Sequence, residues 1–124
     1  MTIEIKTFED ACKVQNLDPA IVIPDFSFFP ESDRKAMVAH AKLIIINKAI
    51  VGEWVADWGN YNQLKYYPWF EMGSSSGVGF AYDDFVNWYS CSGVGSRLCF
   101  ETREQAKYAG KQFEDLYKDY FVKS

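Results

Sequence analysis

Apolar side chains recur every three or four positions near the C-terminus: Ala106, Ala109, Gly110, Phe113, Leu116, Tyr117 and Tyr120. That spacing draws one face of a helix. Thr102 with Gln105 three residues later is a capping-box pair, so a helix is predicted over about 102–121. Lys111 with Asp115, and Glu114 with Lys118, would be oppositely charged neighbours on its outer face. A second helical pattern runs over about 31–51 through Ala36, Met37, Ala41, Ile44, Ile45 and Lys48, and Gly52 stops it. Leu43, Ile46, Ala49 and Ile50 widen its stripe until the second half is apolar nearly all round, which predicts cover on more than one side. Thr7, followed by Glu9 and Asp10, caps a short helix ending near Gln15. Between these two lie Pro19, Pro24 and Pro30, which predict an extended, partly buried connection.

Past Gly52 the period changes. Asp57, Gly59, Asn60 and Asn62 make residues 54–64 turn-like. Residues 65–72 read as a strand in which Pro68 implies an edge position or a bulge. Residues 78–82 and 85–91 read as two short strands joined by a tight turn at Asp83-Asp84, and residues 96–101 as a further strand after the Gly93-Val94-Gly95 reversal. The predicted architecture is α+β. A small antiparallel meander of three or four strands over about 65–101 packs against two main helices, about 31–51 and 102–121, with a short N-terminal helix, all in one domain spanning 1–124.

The chain has 124 residues and a net charge of −4, a size that buries a core without metal or disulfide staples. No basic stripe is present, so a nucleic-acid partner is disfavoured. The longest apolar run, interrupted by Asn47 and Lys48, is far too short to span a bilayer, and the first residues hold no secretory apolar stretch. Cys12, Cys91 and Cys99 are an odd, widely spaced set. Cys91 and Cys99 are placed to pair across a hairpin, but reduced thiols in a reducing cytoplasm are favoured for all three.

Catalytic motifs are weak. Gly73-Ser-Ser-Ser-Gly77-Val-Gly79 lacks the lysine and following helix of a phosphate loop, so a hairpin connection is favoured. His40, the sole histidine, sits mid-helix beside Met37, Ala41 and Ile44 and reads as a core-bordering residue rather than a base. No paired spacing supports a Cys/His zinc site. Arg97 is expected to act as a structural clamp on turn carbonyls or on a carboxylate such as Glu71, Asp83 or Glu101, with a binding role as the alternative. No cofactor, metal or catalytic residue is predicted, and an enzyme ranks last.

What stands out is aromatic. Residues 54–89 contain twelve rings, including all four tryptophans, in a chain that is 18% aromatic. On strand alternation Tyr67, Trp69 and Glu71 share one face and Tyr66 and Phe70 the other; Val86, Trp88 and Ser90 oppose Phe85, Asn87 and Tyr89. Helices cover one sheet face, so some rings are expected on the open one, where Trp and Tyr mark contact surfaces. The competing reading is that the rings complete a compact core.

The runs Lys65-Tyr-Tyr-Pro-Trp-Phe70, Gly79-Phe80, Val94-Gly-Ser-Arg-Leu-Cys-Phe100, Tyr108-Ala-Gly-Lys-Gln-Phe113 and Leu116-Tyr-Lys-Asp-Tyr-Phe121 resemble a family of small proteins encoded by gut Bacteroidetes and by their phages and mobile elements. Weaker matches at residues 7–11, 17–19 and 54–58 extend the resemblance over nearly the whole chain. That family carries no assigned activity, cofactor or catalytic residues. The resemblance implies a bacterial or phage protein acting in the cytoplasm through a partner rather than through chemistry. The expected function is a non-enzymatic interaction domain that binds a protein partner or a second copy of itself. Trp58, Tyr61, Tyr66, Trp69, Tyr82 and Trp88 are its candidate contact rings. The alternative is a carbohydrate- or small-ligand-binding module using the same rings, with Asp83, Asp84 or Asn87 as hydrogen-bonding groups.

Overall fold

A computed structural model describes residues 5–74 and 77–123. Helix α1 spans Phe8–Val14, with a complete capping box between Thr7 and Asp10. Helix α2 spans Glu31–Val51 and ends at Gly52, as the pattern predicts. Strand β1 spans Lys65–Glu71 and strand β2 spans Ala81–Trp88; they pair antiparallel. Helix α3 spans Arg103–Gln112 behind the predicted Thr102–Gln105 box, and helix α4 spans Glu114–Phe121.

The connections obey local rules. Asp18, Asp25, Asp57 and Asn60 each accept a hydrogen bond from the backbone N–H two residues on, the Asx turn that competes with regular structure. The proline-rich stretch from 16 to 30 is a series of such turns rather than an extended segment, and most of it is exposed. Leu17, Val22 and Ile23 alone of its aliphatic residues reach the core.

The α+β class stands, but the meander does not. Among the described residues the sheet has two strands. Residues 96–101 form no third strand. Gly95 to Phe100 is mostly turn, and pairing shrinks to one bridge between Phe100 and Tyr66. Residues 78–80 turn rather than extend, with Phe80 N–H bonded to Gly77 C=O. Ser75 and Ser76 of the serine connection lie outside the described residues. Asp83-Asp84 is not a turn either. Both residues lie within β2, where Trp69 pairs with Asp84 and Phe70 with Tyr82, leaving Asp83 as the extra residue of a β-bulge.

That bulge decides the faces. It resets the period of two, so Tyr82 and Phe85, three apart in sequence, both face α3. The Tyr82 ring lies edge-on to Phe70 at 6.0 Å and Phe85 lies edge-on to Tyr66 at 5.7 Å. Lys65, Tyr67 and Trp69 take the opposite face with Asp84, Val86 and Trp88.

The predicted C-terminal helix is split at Phe113, whose backbone leaves helical geometry at φ −114° and ψ 28°. Two packing demands meet there. α3 must lie flat on the sheet, while α4 must reach α2, where Lys35 and Asp119 pair at 3.3 Å. A single straight rod does not serve both. The predicted charge pairs on its outer face are also not formed: Glu114 instead accepts the Tyr82 backbone N–H at 2.5 Å. The core gathers Phe8, Leu43, Ile46, Phe70, Phe100 and Tyr117 from five separate segments. Buried Asn47 crosses it, donating to the Cys99 carbonyl at 3.0 Å.

Gly110 is where α3 touches the sheet most closely. A Cβ there would sit 2.5 Å from the Tyr82 ring and 2.7 Å from Pro68 Cβ. Gly110→Ala removes a helix-destabilising glycine, worth about 0.5–1 kcal/mol, but overpacks the seam at about 1–3 kcal/mol. A net loss of roughly 1–2 kcal/mol is expected in urea unfolding. A variant at least as stable as the parent would show that α3 does not rest on Tyr82 and Pro68.

Candidate functional site

The chain's most constrained polar group is Lys65, at the start of β1. It is 0% exposed. Its Nζ donates to the carbonyls of Asp57 (2.5 Å), Asn60 (3.2 Å) and Tyr89, and lies 5.1 Å from the centre of the Trp58 ring. Three carbonyl dipoles and a π face thus satisfy all three ammonium protons and offset the lost hydration. The Trp58 indole N–H donates to Ser96 Oγ at 2.6 Å, which orients the ring and joins a third loop to the same point. Trp58, expected as a contact ring, is half-buried and belongs to this node.

The remaining candidates fall on two faces. Tyr66 and Tyr82 are half-buried on the helix side. The Tyr82 ring packs against Phe70 and Gly110, with Lys111 Nζ 5.7 Å from its centre. Its hydroxyl is shielded without a hydrogen-bond partner among the described residues. Burial, with Asp84 and Asp83 nearby, pushes that phenol above its ordinary pKa. Tyr66 and Tyr82 are therefore packing residues. Tyr61 is exposed in the turn-rich loop, apart from the others.

The opposite face holds what the alternation placed there. Trp69 is 49% exposed and Trp88 is 42% exposed. Between them Tyr67 is buried, its hydroxyl accepting the Trp88 indole N–H, with Gly93 above it. Asp84 stands opposite Trp69, and Asp83 and Asp84 are both exposed. Trp69, Trp88, Asp83 and Asp84 thus form one surface, a subset of the predicted constellation.

Beside this surface runs a groove of about 580 Å³ along β1. Trp69, Met72 and Val94 line it with Tyr120 and Phe121 of α4. Sequence reasoning missed Met72, Val94, Tyr120 and Phe121 as contributors. They come from three separate segments, Met72 after β1, Val94 before residues 96–101 and Tyr120 with Phe121 from α4, and no local spacing signals their meeting. A second groove of about 750 Å³ lies between the end of α2 and residues 96–97, with Trp54, Lys48 and Arg97 on its walls. Arg97 is exposed and forms no ion pair among the described residues, so it is not the expected clamp on a carboxylate.

His40 stacks on Tyr120, with ring centres 4.4 Å apart and planes 6° from parallel. Burial lowers its pKa, and among the described residues no hydrogen bond links it to a carboxylate, serine or cysteine. The three cysteines are free thiols; Cys12 and Cys99 are buried, and burial pushes Cys99 up to about 11. No group of three or more His, Cys, Asp or Glu side chains able to hold a metal occurs among the described residues. No helix is long and apolar enough to cross a membrane among them. No protein-family model, curated protein or solved structure matches the chain.

Two substitutions check these assignments. Lys65→Met keeps the length and removes the ammonium, leaving three carbonyls to re-pair with water. A loss of about 3 kcal/mol is expected in chemical denaturation, given ~1–3 kcal/mol for an orphaned buried polar group; less than about 1 kcal/mol would remove the node from its structural role. Tyr82→Phe deletes only the unpartnered hydroxyl and should leave stability unchanged or raise it by about 1 kcal/mol. A clear loss would mean that the hydroxyl has a partner.

Proposed function

We propose that the protein is a non-enzymatic interaction domain whose contact surface is the open sheet face around Trp69 and Trp88 with the adjoining groove. The observation that carries this reading is the exposure of two large rings, Trp69 and Trp88, at the two ends of the sheet face that helices leave uncovered, with the Tyr67–Val86 pair between them. Rings with two rotatable bonds supply contact area at little entropic cost, and tryptophan is enriched at binding hot spots. Trp69 and Trp88 stand on strands rather than loops, which positions them before any partner arrives. A protein partner is favoured over a sugar because the surface continues into an apolar groove rather than closing around a hydroxyl-sized pocket. The proposal includes a bacterial or phage origin and work in a reducing cytoplasm, in line with the sequence resemblance and with Cys12 and Cys99 serving as buried hydrophobes.

The test is capture from the source cell's lysate with parent bait and with bait carrying Trp69→Ala and Trp88→Ala. Both substitutions fall on exposed rings, so near-parent unfolding curves are expected. The parent should retain at least one protein that the variant loses by tenfold or more. Equal retention by both baits, or none by either, sinks the reading.

A further inference from the structure

The groove beside β1 coincides with an unfinished sheet edge. Tyr66 both donates to and accepts from Phe100, at 3.0 and 2.6 Å, on the side of β1 away from β2. In an antiparallel ladder both backbone groups of a residue point to one side, and those of the next residue to the other. Pro68 and Phe70 therefore turn their backbone groups to the same outer edge as Tyr66. There they meet no strand among the described residues, because the chain before Phe100 turns away, with Leu98 N–H reaching back to Gly95 C=O. Pro68 has no N–H to lose, which suits the edge. The groove follows this edge, between Val94 on one wall and Phe121 on the other.

We infer that this edge receives an extended segment of another protein, added as a strand, in which basic side chains alternate with apolar ones. The inference rests on the reading of the chain as an interaction domain and names the chemistry of its partner. An added strand presents alternate side chains to the two faces of the sheet. On the helix side they would meet Phe70, Tyr120 and Phe121, which are apolar. On the open side they would meet Trp69 and Glu71, with Asp83 and Asp84 beyond. None of those three carboxylates has an ion-pair partner among the described residues, so the open sheet face next to the groove carries unpaired negative charge around an exposed indole, Glu71 on β1 itself and Asp84 across from Trp69. Such a site favours a lysine or arginine, through charge and through the indole face. A second copy is a poor occupant by the same criterion, because pairing two β1 edges would bring two acidic sheet faces together.

The test uses a short peptide alternating lysine and valine, a glutamate–valine counterpart, and a backbone N-methylated lysine–valine version. Binding is followed by peptide anisotropy and by amide hydrogen exchange at Phe70. The lysine peptide should bind and slow Phe70 exchange by about tenfold or more, since strand addition hydrogen-bonds that N–H. The glutamate and N-methylated peptides should bind at least about tenfold more weakly. Glu71→Gln and Asp84→Asn should each weaken the lysine peptide by roughly twofold to fivefold, an effect that fades in high salt. No binding, or equal binding of all three peptides, overturns the inference. Binding that Trp69→Ala abolishes but that leaves Phe70 exchange untouched also overturns it, while leaving the interaction surface itself intact.

Discussion

The arrangement turns on a single buried ammonium. Lys65 begins β1, and its three carbonyl partners come from the turn-rich loop before it and from the end of β2. The ring over it is held by Ser96 of a third segment. A cation without a carboxylate partner is stable in such a place only if every donor is met. That requirement holds three irregular segments at one point. Those segments enclose Lys65 and bury Tyr67, while Trp69 further along β1 and Trp88 across from Lys65 keep an exposed side. The boundary between core and surface on this face is drawn by one lysine.

A second constraint acts on the opposite side. Asp83 adds one residue to β2, and Phe113 interrupts the C-terminal helix. The bulge lets Tyr82 and Phe85 both face α3, so the helix side of a two-stranded sheet is covered by more rings than plain alternation permits. The break lets α3 follow the sheet while α4 turns to α2, carrying Tyr120 and Phe121 to the mouth of the groove beside β1. Each irregularity serves packing first, and the groove follows from the break that brings α4 to β1.

Much of the fold was legible. The Thr7 and Thr102 caps and the Gly52 stop are encoded within a turn of the residues they act on, and local signals are what a sequence displays most clearly. Pro68 announced an edge or a bulge, and the structure has both: a free edge beside Pro68 and a bulge opposite Trp69. The predicted meander shrinks to one hairpin because residues 78–80 and 96–100 carry strand-like side chains with no ladder to join. The candidate site was half legible. Alternation placed Trp69 with Tyr67, and Trp88 with Val86, on their faces correctly. It did not show that a bulge would move Tyr82 to the helix side, or that Trp58 would be drawn onto a buried lysine.

The sequence by itself determined the helical segments, their caps, the position of β1 and the concentration of rings between residues 54 and 89. These follow from short-range chemistry: side-chain period, capping hydrogen bonds and turn residues. Only the tertiary structure decided which rings meet water. Exposure depends on what covers each ring, and the covering groups arrive from distant segments, as Gly93 does over Tyr67, or through a one-residue change in register, as at Asp83. Of the rings in that window, the fold leaves Trp69 and Trp88 in the open on one face, Trp69 beside an edge with backbone groups to spare.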